Sequence, residues 1–281
     1  MVVGPTASGK TELAILLAQK FGGEIVNADS VQVYTHFDIG SGKPTGEELA
    51  RAPHHLLSVV DPSVQLEASR YAEMAEQAVS DIRGRNRIPI VCGGSFLWVK
   101  ALVWGLAPMP GANPAVRAEH TLIAESQGRA ALHAQLQLID PVAAARLSPN
   151  DFVRVSRALE VFAVSGKTMT ELQSEHGFRE QKYKARFIAA DRADAELDER
   201  IAKRTTHWLQ TGWIDEVKHL VDLGYENTRA MQSVGYREVL SYIRGQIPES
   251  ELAPTIVRAT RVFVRRQRTW IRDLPIHYVK I

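Results

Sequence analysis

Short continuous apolar runs and longer stretches with a helical period alternate along the chain. The short runs lie at 1–3, 25–26, 87–95 and 187–190, and a strand is predicted at each. Helical spacing follows Gly9, where Leu13, Leu16, Leu17 and Phe21 recur, and it also covers 71–85 and 196–212. This alternation predicts the α/β class, a parallel sheet with helices on both faces.

A proline-rich segment, Leu106 to Pro114, interrupts this pattern. Beyond it, up to about Lys182, the sequence predicts helices and no strand. We therefore expect residues 111–182 to form a helical insertion domain, and residues 1–110 and 183–281 to form the α/β core. Binding groups in such sheets gather at the carboxyl ends of the strands, where Asp29, Ser30 and the 93–95 turn would lie.

The tetrapeptide SGKT occurs twice, and the residues before it distinguish the copies. The first copy lies in GPTASGKT, which has the full spacing of a phosphate-binding P-loop between a strand and a helix. Backbone amides of the turn and the positive end of the helix would bind phosphate there, Lys10 would add positive charge, and Thr11 could bind Mg²⁺. The predicted phosphate-binding residues are Gly4, Pro5, Thr6, Ala7, Ser8, Gly9, Lys10 and Thr11.

The second copy, Ser165–Thr168, has Val161 where the first glycine of the motif is required. It ends the helical run from Phe152, and Gly166 suits the left-handed residue that closes a helix. We predict a helix end here and no phosphate site.

Composition excludes several classes of protein. With 45% hydrophobic and 23% charged residues, the chain has the balance of an ordinary soluble globular protein. Its single cysteine, Cys92, excludes an intramolecular disulfide and fits a reducing compartment. No apolar stretch could span a bilayer and no secretory leader is recognisable, so a cytoplasmic protein with no membrane partner is expected.

The net charge of +2 carries no information about nucleic acid, but the distribution of arginine does. Residues 258–272 hold six arginines and no acid. These arginines could form a solvated helix face balanced by acids elsewhere, or a surface that binds a polyanion through bidentate phosphate contacts. We favour the second, with Val262, Phe263 and Trp270 packing on the protein.

Asp29 follows a strand, next to the predicted P-loop. It could be a turn residue, or a carboxylate that accepts a proton or organises Mg²⁺. Asp191 also ends a predicted strand, but it precedes a helix and is explained as its cap. Asp29 is therefore the preferred candidate for a general base.

Arg200 and Arg204 share a helix face. Glu196 is correctly spaced for a salt bridge with Arg200, whereas Arg204 has no acid one turn before it, so an external anion would relieve the repulsion between the arginines. Arg117, Arg154 and Arg157 could form a second phosphate-contacting surface. The pair His54-His55 is interpreted as structural or substrate-lining, because no other ligands stand at zinc spacing.

Eight short stretches together resemble the tRNA dimethylallyltransferase (IPP transferase) family. They are GPTASGKT, DSVQVY (29–34), FDIGSGKP (37–44), PHHLLSVVDP (53–62), VCGGS (91–95), SRALEV (156–161), SVGYRE (233–238) and RRQRTWIR (265–272), in the family's order and over nearly the whole chain. The resemblance implies a P-loop NTPase-like fold and transfer of a dimethylallyl group from dimethylallyl diphosphate to N6 of adenosine 37 in the tRNA anticodon stem-loop. The chain is expected to act as a monomer.

By the same resemblance, Asp29 is the general base, and Arg204, Lys10 and Mg²⁺ at Thr11 stabilise the departing diphosphate. The residues implied to contact tRNA are Asp29, Ser30, Val31, Gln32, Ser95, Arg117, Val153, Arg154, Val155, Ser156, Arg157, Gln232, Ser233, Val234, Gly235, Tyr236, Arg237, Arg265, Arg266, Gln267, Arg268, Thr269, Trp270, Ile271 and Arg272. Three departures from the family pattern are mild: Ser95 replaces a usual threonine, FDIGSGKP replaces MDIGTAKP, and VRRQ replaces AKRQ.

Three other functions are compatible with the motifs. A P-loop kinase would use ATP as donor and Asp29 as base for an acceptor hydroxyl. A related prenyltransferase would modify free adenine nucleotides. An RNA-binding P-loop protein without catalysis would keep its function when Asp29 is replaced.

Overall fold

The computed structural model describes residues 1–190, 192–272 and 274–280. The chain forms two compact units, the first comprising Met1–Val103 and Lys182–Ile281, the second Trp104–Gln181. The strands are β1 Val2–Val3, β2 Gly23–Asn27, β3 His54–His55, β4 Ile88–Gly93, β5 Phe187–Ala190 and β6 Ile276–Val279. The helices are α1 Lys10–Phe21, α2 Gly46–Arg51, α3 Ala68–Gly84, α4 Phe96–Trp104, α5 Pro114–Ser126, α6 Arg129–Ile139, α7 Pro141–Arg146, α8 Phe152–Ser165, α9 Met169–His176, α10 Asp194–Gln210, α11 Trp213–Asp222, α12 Tyr236–Ile243 and α13 Glu249–Ile271.

The first unit contains a parallel sheet with the strand order β3-β2-β4-β1-β5-β6. All strand pairings in it are parallel, which confirms the predicted fold class. Leu13, Ala14, Ile15 and Ala18 of α1 pack on the sheet beside Ile25. The sheet therefore places the ends of β1, β2 and β4 side by side, since Val3 pairs with Gly93 and Asn27 pairs with Cys92.

Two strands were not predicted from the sequence. β3 is a histidine pair without an apolar run, and β6 has the sequence Ile-His-Tyr-Val, whose two central residues are exposed. Both lie at the edges of the sheet, where strands have neighbours on one side only and need not be continuously apolar.

The second unit is helical, from α5 to α9, and its described residues form no strand. Leu132, Leu136, Val155, Ala158 and Leu159 form its core. The helix end predicted at the second SGKT is confirmed: α8 ends at Ser165, and Gly166 adopts the left-handed conformation with φ of 70°. Thr168 then caps α9 through a reciprocal pair of hydrogen bonds with Glu171.

The packing face predicted for α13 is wrong. Leu252, Ile256, Thr260, Val264, Gln267 and Ile271 are buried instead, whereas Val262, Phe263 and Trp270 are 37%, 38% and 47% exposed. The buried residues recur every three or four positions and form one stripe. Val262 falls outside it, whereas Phe263 has the spacing of the stripe but is only partly covered. No helix in the described part of the chain is long and apolar enough to cross a membrane.

Candidate active site

The loop between β1 and α1 has the predicted strand–turn–helix order. Gly9 precedes the helix with φ of 94°, and a Cβ on Gly4 would lie 3.0 Å from Ser8 Oγ. Lys10 Nζ donates a hydrogen bond of 2.7 Å to the Pro5 carbonyl oxygen, so the ammonium group curls back over the loop. Burial lowers the pKa of Lys10, while Cys92 and Asp29 act in the opposite direction.

Asp29 lies two residues after the end of β2. Its interpretation as a turn residue is confirmed, whereas its role as a proton acceptor stays a prediction. Its Oδ1 accepts hydrogen bonds from the amides of Val31 at 2.9 Å and Gln32 at 3.4 Å, and its own amide donates to Asn27 Oδ1 at 3.0 Å. These bonds make it a turn residue. They also fix the orientation of a carboxylate that lines the same cavity as Lys10.

Two cavities of the first unit meet at Asp29. The first, of about 560 Å³, is lined by P-loop residues that include Lys10 and Thr11. The second, of about 470 Å³, is lined by Ser30, Ser95 and several aromatic side chains. The residues that line both are Thr6, Asp29, Ser41 and Arg204. Asp29 and Arg204 therefore stand at the junction between a phosphate-type cradle and an aromatic cavity.

Arg204 is held at this junction by α10. Its Nη2 donates to Thr6 Oγ1 at 2.8 Å, and its guanidinium carbon lies 4.4 Å from the centre of the Trp208 ring, a favourable cation–π distance. Its buried Nε has no hydrogen-bond partner among the described residues. Burial lowers the pKa of Arg204 to about 10, Asp29 acts against this shift and Arg200 adds to it. A buried donor without an acceptor, on a charged group, favours an anionic ligand.

Arg200 binds the P-loop and not the acid suggested for it. Its Nε donates to the Ala7 carbonyl oxygen at 2.9 Å. The alternative salt bridge between Glu196 and Arg200 is wrong, because Glu196 pairs with Arg192 at 2.5 Å, four residues towards the N-terminus. Asp191 lies outside the described residues.

Sequence reasoning missed the role of Gln267, a buried residue of α13. Its Oε1 accepts a hydrogen bond from the Thr6 amide at 2.8 Å, and its Nε2 donates to the Gly94 carbonyl oxygen at 3.2 Å. A Cβ on Gly94 would lie 2.4 Å from this Nε2, which accounts for the glycine. Gln267 therefore fixes the P-loop and the turn after β4 together. Ser95 stabilises the neighbouring turn by accepting a hydrogen bond of 2.9 Å from the Ser30 amide.

The residues of the first unit that were predicted to contact tRNA fall into three groups. Those that line the second cavity are Asp29, Ser30, Val31, Ser95, Gln232, Ser233, Val234, Arg237 and Arg266, while Gln32 lines the first. Those buried in the protein are Gly235, Tyr236, Gln267 and Ile271. Those outside both cavities and not fully buried are Arg265, Arg268, Thr269, Trp270 and Arg272. Contact with tRNA stays a prediction for all of them.

The arginines of α13 differ in their partners. Arg261 pairs with Asp198 at 3.0 Å, and Arg268 pairs with Asp194, so acids from α10 balance part of this face. Arg265 and Arg266 are exposed and have no ion pair with a described residue. The positive charge of these two arginines is therefore not balanced by an ion pair with a described residue.

In the second unit, Arg117 and Arg157 converge on Glu160, whose side chain is fully buried. The distances from Arg117 Nε and Arg157 Nη1 to the Glu160 carboxylate are 2.8 and 2.5 Å. Arg154 pairs with Asp151 at 2.7 Å, and Val153 is 76% exposed. Val155 and Ser156 are buried. The predicted phosphate-contacting surface of this unit therefore contains arginines already held by carboxylates.

The histidine pair has a structural role. His55 Nε2 lies 2.7 Å from Glu24 Oε2, and Arg85 binds the same carboxylate. His54 Nδ1 lies 2.8 Å from the Ala52 carbonyl oxygen. Among the described residues, no group of three or more His, Cys, Asp or Glu side chains is placed to bind a metal ion.

Comparison with known proteins relates this arrangement to one family. The family profile described as IPP transferase matches residues 32–274. A tRNA dimethylallyltransferase of Sorangium cellulosum is 60% identical over 281 residues, which cover 100% of this chain and 90% of the relative. One of Geobacter sulfurreducens is 44% identical over 276 residues, or 98% of this chain and 89% of the relative.

Solved structures give the same result. The full-length tRNA isopentenylpyrophosphate transferase of Bacillus halodurans has a TM-score of 0.73 and 33% identity, covering 99% of this chain and 88% of the other. A eukaryotic dimethylallyltransferase described as acting on tRNA has a TM-score of 0.81 and 27% identity, covering 99% of this chain and 72% of the other.

Proposed function

The chain belongs to the IPP transferase family, and on this premise we propose that it transfers a dimethylallyl group from dimethylallyl diphosphate to N6 of adenosine 37 in the anticodon stem-loop of tRNA. The observation that carries the proposal is the junction of the two cavities, which Asp29 and Arg204 both line. One cavity suits a diphosphate and the other suits a base. A single copy of the chain supplies both cavities, which supports a monomer, and the cytoplasm, where tRNA is modified, is the proposed compartment.

The first cavity supports the donor. It is lined by P-loop residues, by Lys10 with its ammonium group, and by Arg200 and Arg204, whose guanidinium groups bind the P-loop. Negative charge develops on the diphosphate as the bond from its oxygen to C1 of the dimethylallyl group breaks. Fixed positive groups in a desolvated site stabilise this charge more than water does.

The second cavity supports the acceptor. Trp98, Trp208, Trp213 and Phe263 line it, and aromatic rings stack with a base that has been turned out of its loop. The N6 lone pair would form the new bond to C1, the diphosphate would leave with the electron pair of the C–O bond, and the Asp29 carboxylate would take the N6 proton. Because an aromatic amine is a weak nucleophile, this proton acceptor contributes to the rate.

A magnesium ion fits the first cavity chemically. The hydroxyl of Thr11 lines it, and Mg²⁺ binds oxygen ligands together with phosphate groups. When bound, the ion would neutralise charge on the diphosphate.

The test is to incubate the protein with radiolabelled dimethylallyl diphosphate and unmodified tRNA, and then to digest the tRNA and identify the labelled nucleoside. N6-dimethylallyladenosine from the anticodon loop supports the proposal. Label on free AMP but not on tRNA would assign the related nucleotide prenyltransferase. Phosphate transfer from ATP, without prenyl transfer, would assign a kinase.

A further inference from the structure

The turn Asp38–Gly42 forms a wall of both cavities. Gly40 and Ser41 line the second cavity, and Ser41 and Gly42 line the first. One end of the wall is held by Gln32, whose Nε2 donates to the carbonyl oxygens of Ser41 at 3.2 Å and Gly42 at 2.8 Å. Since the wall borders the Asp29–Arg204 junction, its position decides how closely the two substrates can approach.

The Glu216 carboxylate holds the backbone at the other end of the wall, where Lys43 Nζ also donates a hydrogen bond of 2.7 Å to the Asp38 side chain. Glu216, in the first turn of α11, accepts hydrogen bonds from three successive backbone amides. The Asp38 and Ile39 amides donate to its Oε2 at 3.1 and 2.6 Å, and the Gly40 amide donates to its Oε1 at 3.3 Å. Hydrogen bonds to an ionised acceptor are stronger than those between neutral groups.

Tyr236 completes this arrangement from inside the protein. Its side chain is 0% exposed, and its hydroxyl donates to Glu216 Oε1 at 2.6 Å. The centre of its ring lies 4.8 Å from that of Phe37, the residue before the wall. A buried side chain with these partners has no free polar atom directed towards a tRNA.

Close packing also borders the wall. The buried Trp213, one turn before Glu216 on α11, lies against Gly40 and Gly235. A Cβ on Gly40 would lie 1.9 Å from Trp213 Nε1, and one on Gly235 would lie 2.3 Å from Trp213 Cη2. Both glycines therefore permit the indole ring to contact the backbone of the wall and of the segment before α12.

We propose that Glu216 is a positioning residue for prenyl transfer, that it fixes the Asp38–Gly42 wall at the junction of the two cavities, and that Tyr236 acts through Glu216 and not on tRNA. The proposal rests on the proposed function for its effect on turnover. The hydrogen bonding itself can be measured in the free protein.

The first experiment compares Glu216→Gln with the matched control Asp215→Asn. The carboxamide introduced by Glu216→Gln would direct an NH₂ group at backbone amides that need an acceptor. Asp215 is a suitable control because its side chain is 79% exposed and pairs with Lys218 on the same helix. By hydrogen-exchange mass spectrometry, peptides covering residues 37–42 should exchange at least about tenfold faster in Glu216→Gln, and at the wild-type rate in Asp215→Asn.

The kinetic signature separates positioning from a general loss of folding. In Glu216→Gln, kcat should fall about tenfold, on the scale of a small misplacement of reacting groups, while the Kd for tRNA and the Kd for inorganic pyrophosphate stay within about twofold of wild type. Wild-type kcat together with wild-type exchange in Glu216→Gln would overturn the proposal.

The variant Tyr236→Phe distinguishes the two roles of the tyrosine. Loss of its hydroxyl should speed exchange of residues 37–42 by a smaller factor and leave tRNA affinity unchanged. Weaker tRNA binding with unchanged exchange would show instead that Tyr236 contacts tRNA. If the wild-type protein transferred no dimethylallyl group, the proposed function would fail, while the exchange rates would still decide whether Glu216 holds the wall.

Discussion

At the scale of single residues, Asp29 is a turn aspartate whose carboxylate also lines the first cavity. One carboxylate oxygen is occupied by the amides of Val31 and Gln32, and this fixes the side chain without an additional residue. Both of these hydrogen bonds go to Oδ1, which leaves Oδ2 as the oxygen for the proton transfer that we propose.

We expect Asp29→Asn to lower kcat by about 10²-fold, the usual scale for loss of a general base. The asparagine keeps an oxygen for the Val31 amide but cannot take the N6 proton. Steady-state kinetics with tRNA and dimethylallyl diphosphate would measure this, and a filter-binding assay should show little change in tRNA affinity. Asp29→Ala, which also removes the turn contact, serves as the comparison. Full activity in Asp29→Asn would disprove the general-base assignment.

At the scale of secondary-structure elements, α13 has two functions on two faces. Its buried stripe carries Gln267, which binds the P-loop through Thr6. On the outer face, Arg265 and Arg266 are exposed, whereas Arg261 and Arg268 pair with aspartates of α10. The same helix thus supports the proposed donor cradle and presents charge to solvent.

Replacing Arg266 by Ala should weaken tRNA binding and lower the slope of log Kd against log salt by about 1, as expected for the loss of one phosphate contact. Arg266 has this effect because its charge is not balanced by an acid among the described residues and because it lines the second cavity. Arg261→Ala is the matched control, since Arg261 is paired with Asp198. Equal salt slopes for the two variants would remove Arg266 from the tRNA surface.

Elements whose signal is local were predictable from the sequence. The glycine spacing of the P-loop, the apolar runs of β2, β4 and β5, and the end of α8 at Gly166 all depend on neighbouring residues. The roles of Glu216 and Gln267 depend on bonds to residues far away in the chain, at Asp38–Gly40 and at Thr6. The packing face of α13 was missed because two polar residues, Thr260 and Gln267, belong to the buried stripe, whereas the apolar Val262 and Trp270 are exposed.

At the scale of the whole molecule, each compact unit has its own core, and the second also contains a buried ionic group. In the second unit that group is Glu160, whose side chain is 0% exposed and is bound by Arg117 and Arg157. Its Oε1 also accepts a hydrogen bond of 2.7 Å from the Asn113 amide, before α5. The carboxylate therefore connects the start of α5 with α8, and the stability of this unit depends on its charge.

This dependence gives a prediction about pH. Burial alone would raise the pKa of Glu160, but hydrogen bonds from Arg117, Arg157 and the Asn113 amide lower it to about 2 from an ordinary 4.5. Because the folded pKa lies below the unfolded one, the contribution to stability is complete above about pH 5 and is lost as pH falls towards 2. It amounts to at most about 3 kcal/mol.

We expect Glu160→Gln to destabilise the second unit by about 2–3 kcal/mol at pH 7, since it leaves two arginines without their buried partner. Its stability should also fall less than that of wild type between pH 5 and pH 2. Urea titration, followed through the hydrogen exchange of peptides covering residues 129–165, measures the stability of this unit separately from that of the first. The control is Glu175→Gln, which removes an exposed ion pair; the side chains of Glu175 and Lys167 are 57% and 54% accessible. Loss of this pair should lower the free energy of unfolding by less than about 1 kcal/mol. Parallel pH profiles for wild type and Glu160→Gln would show that this carboxylate does not carry the acid sensitivity of the unit.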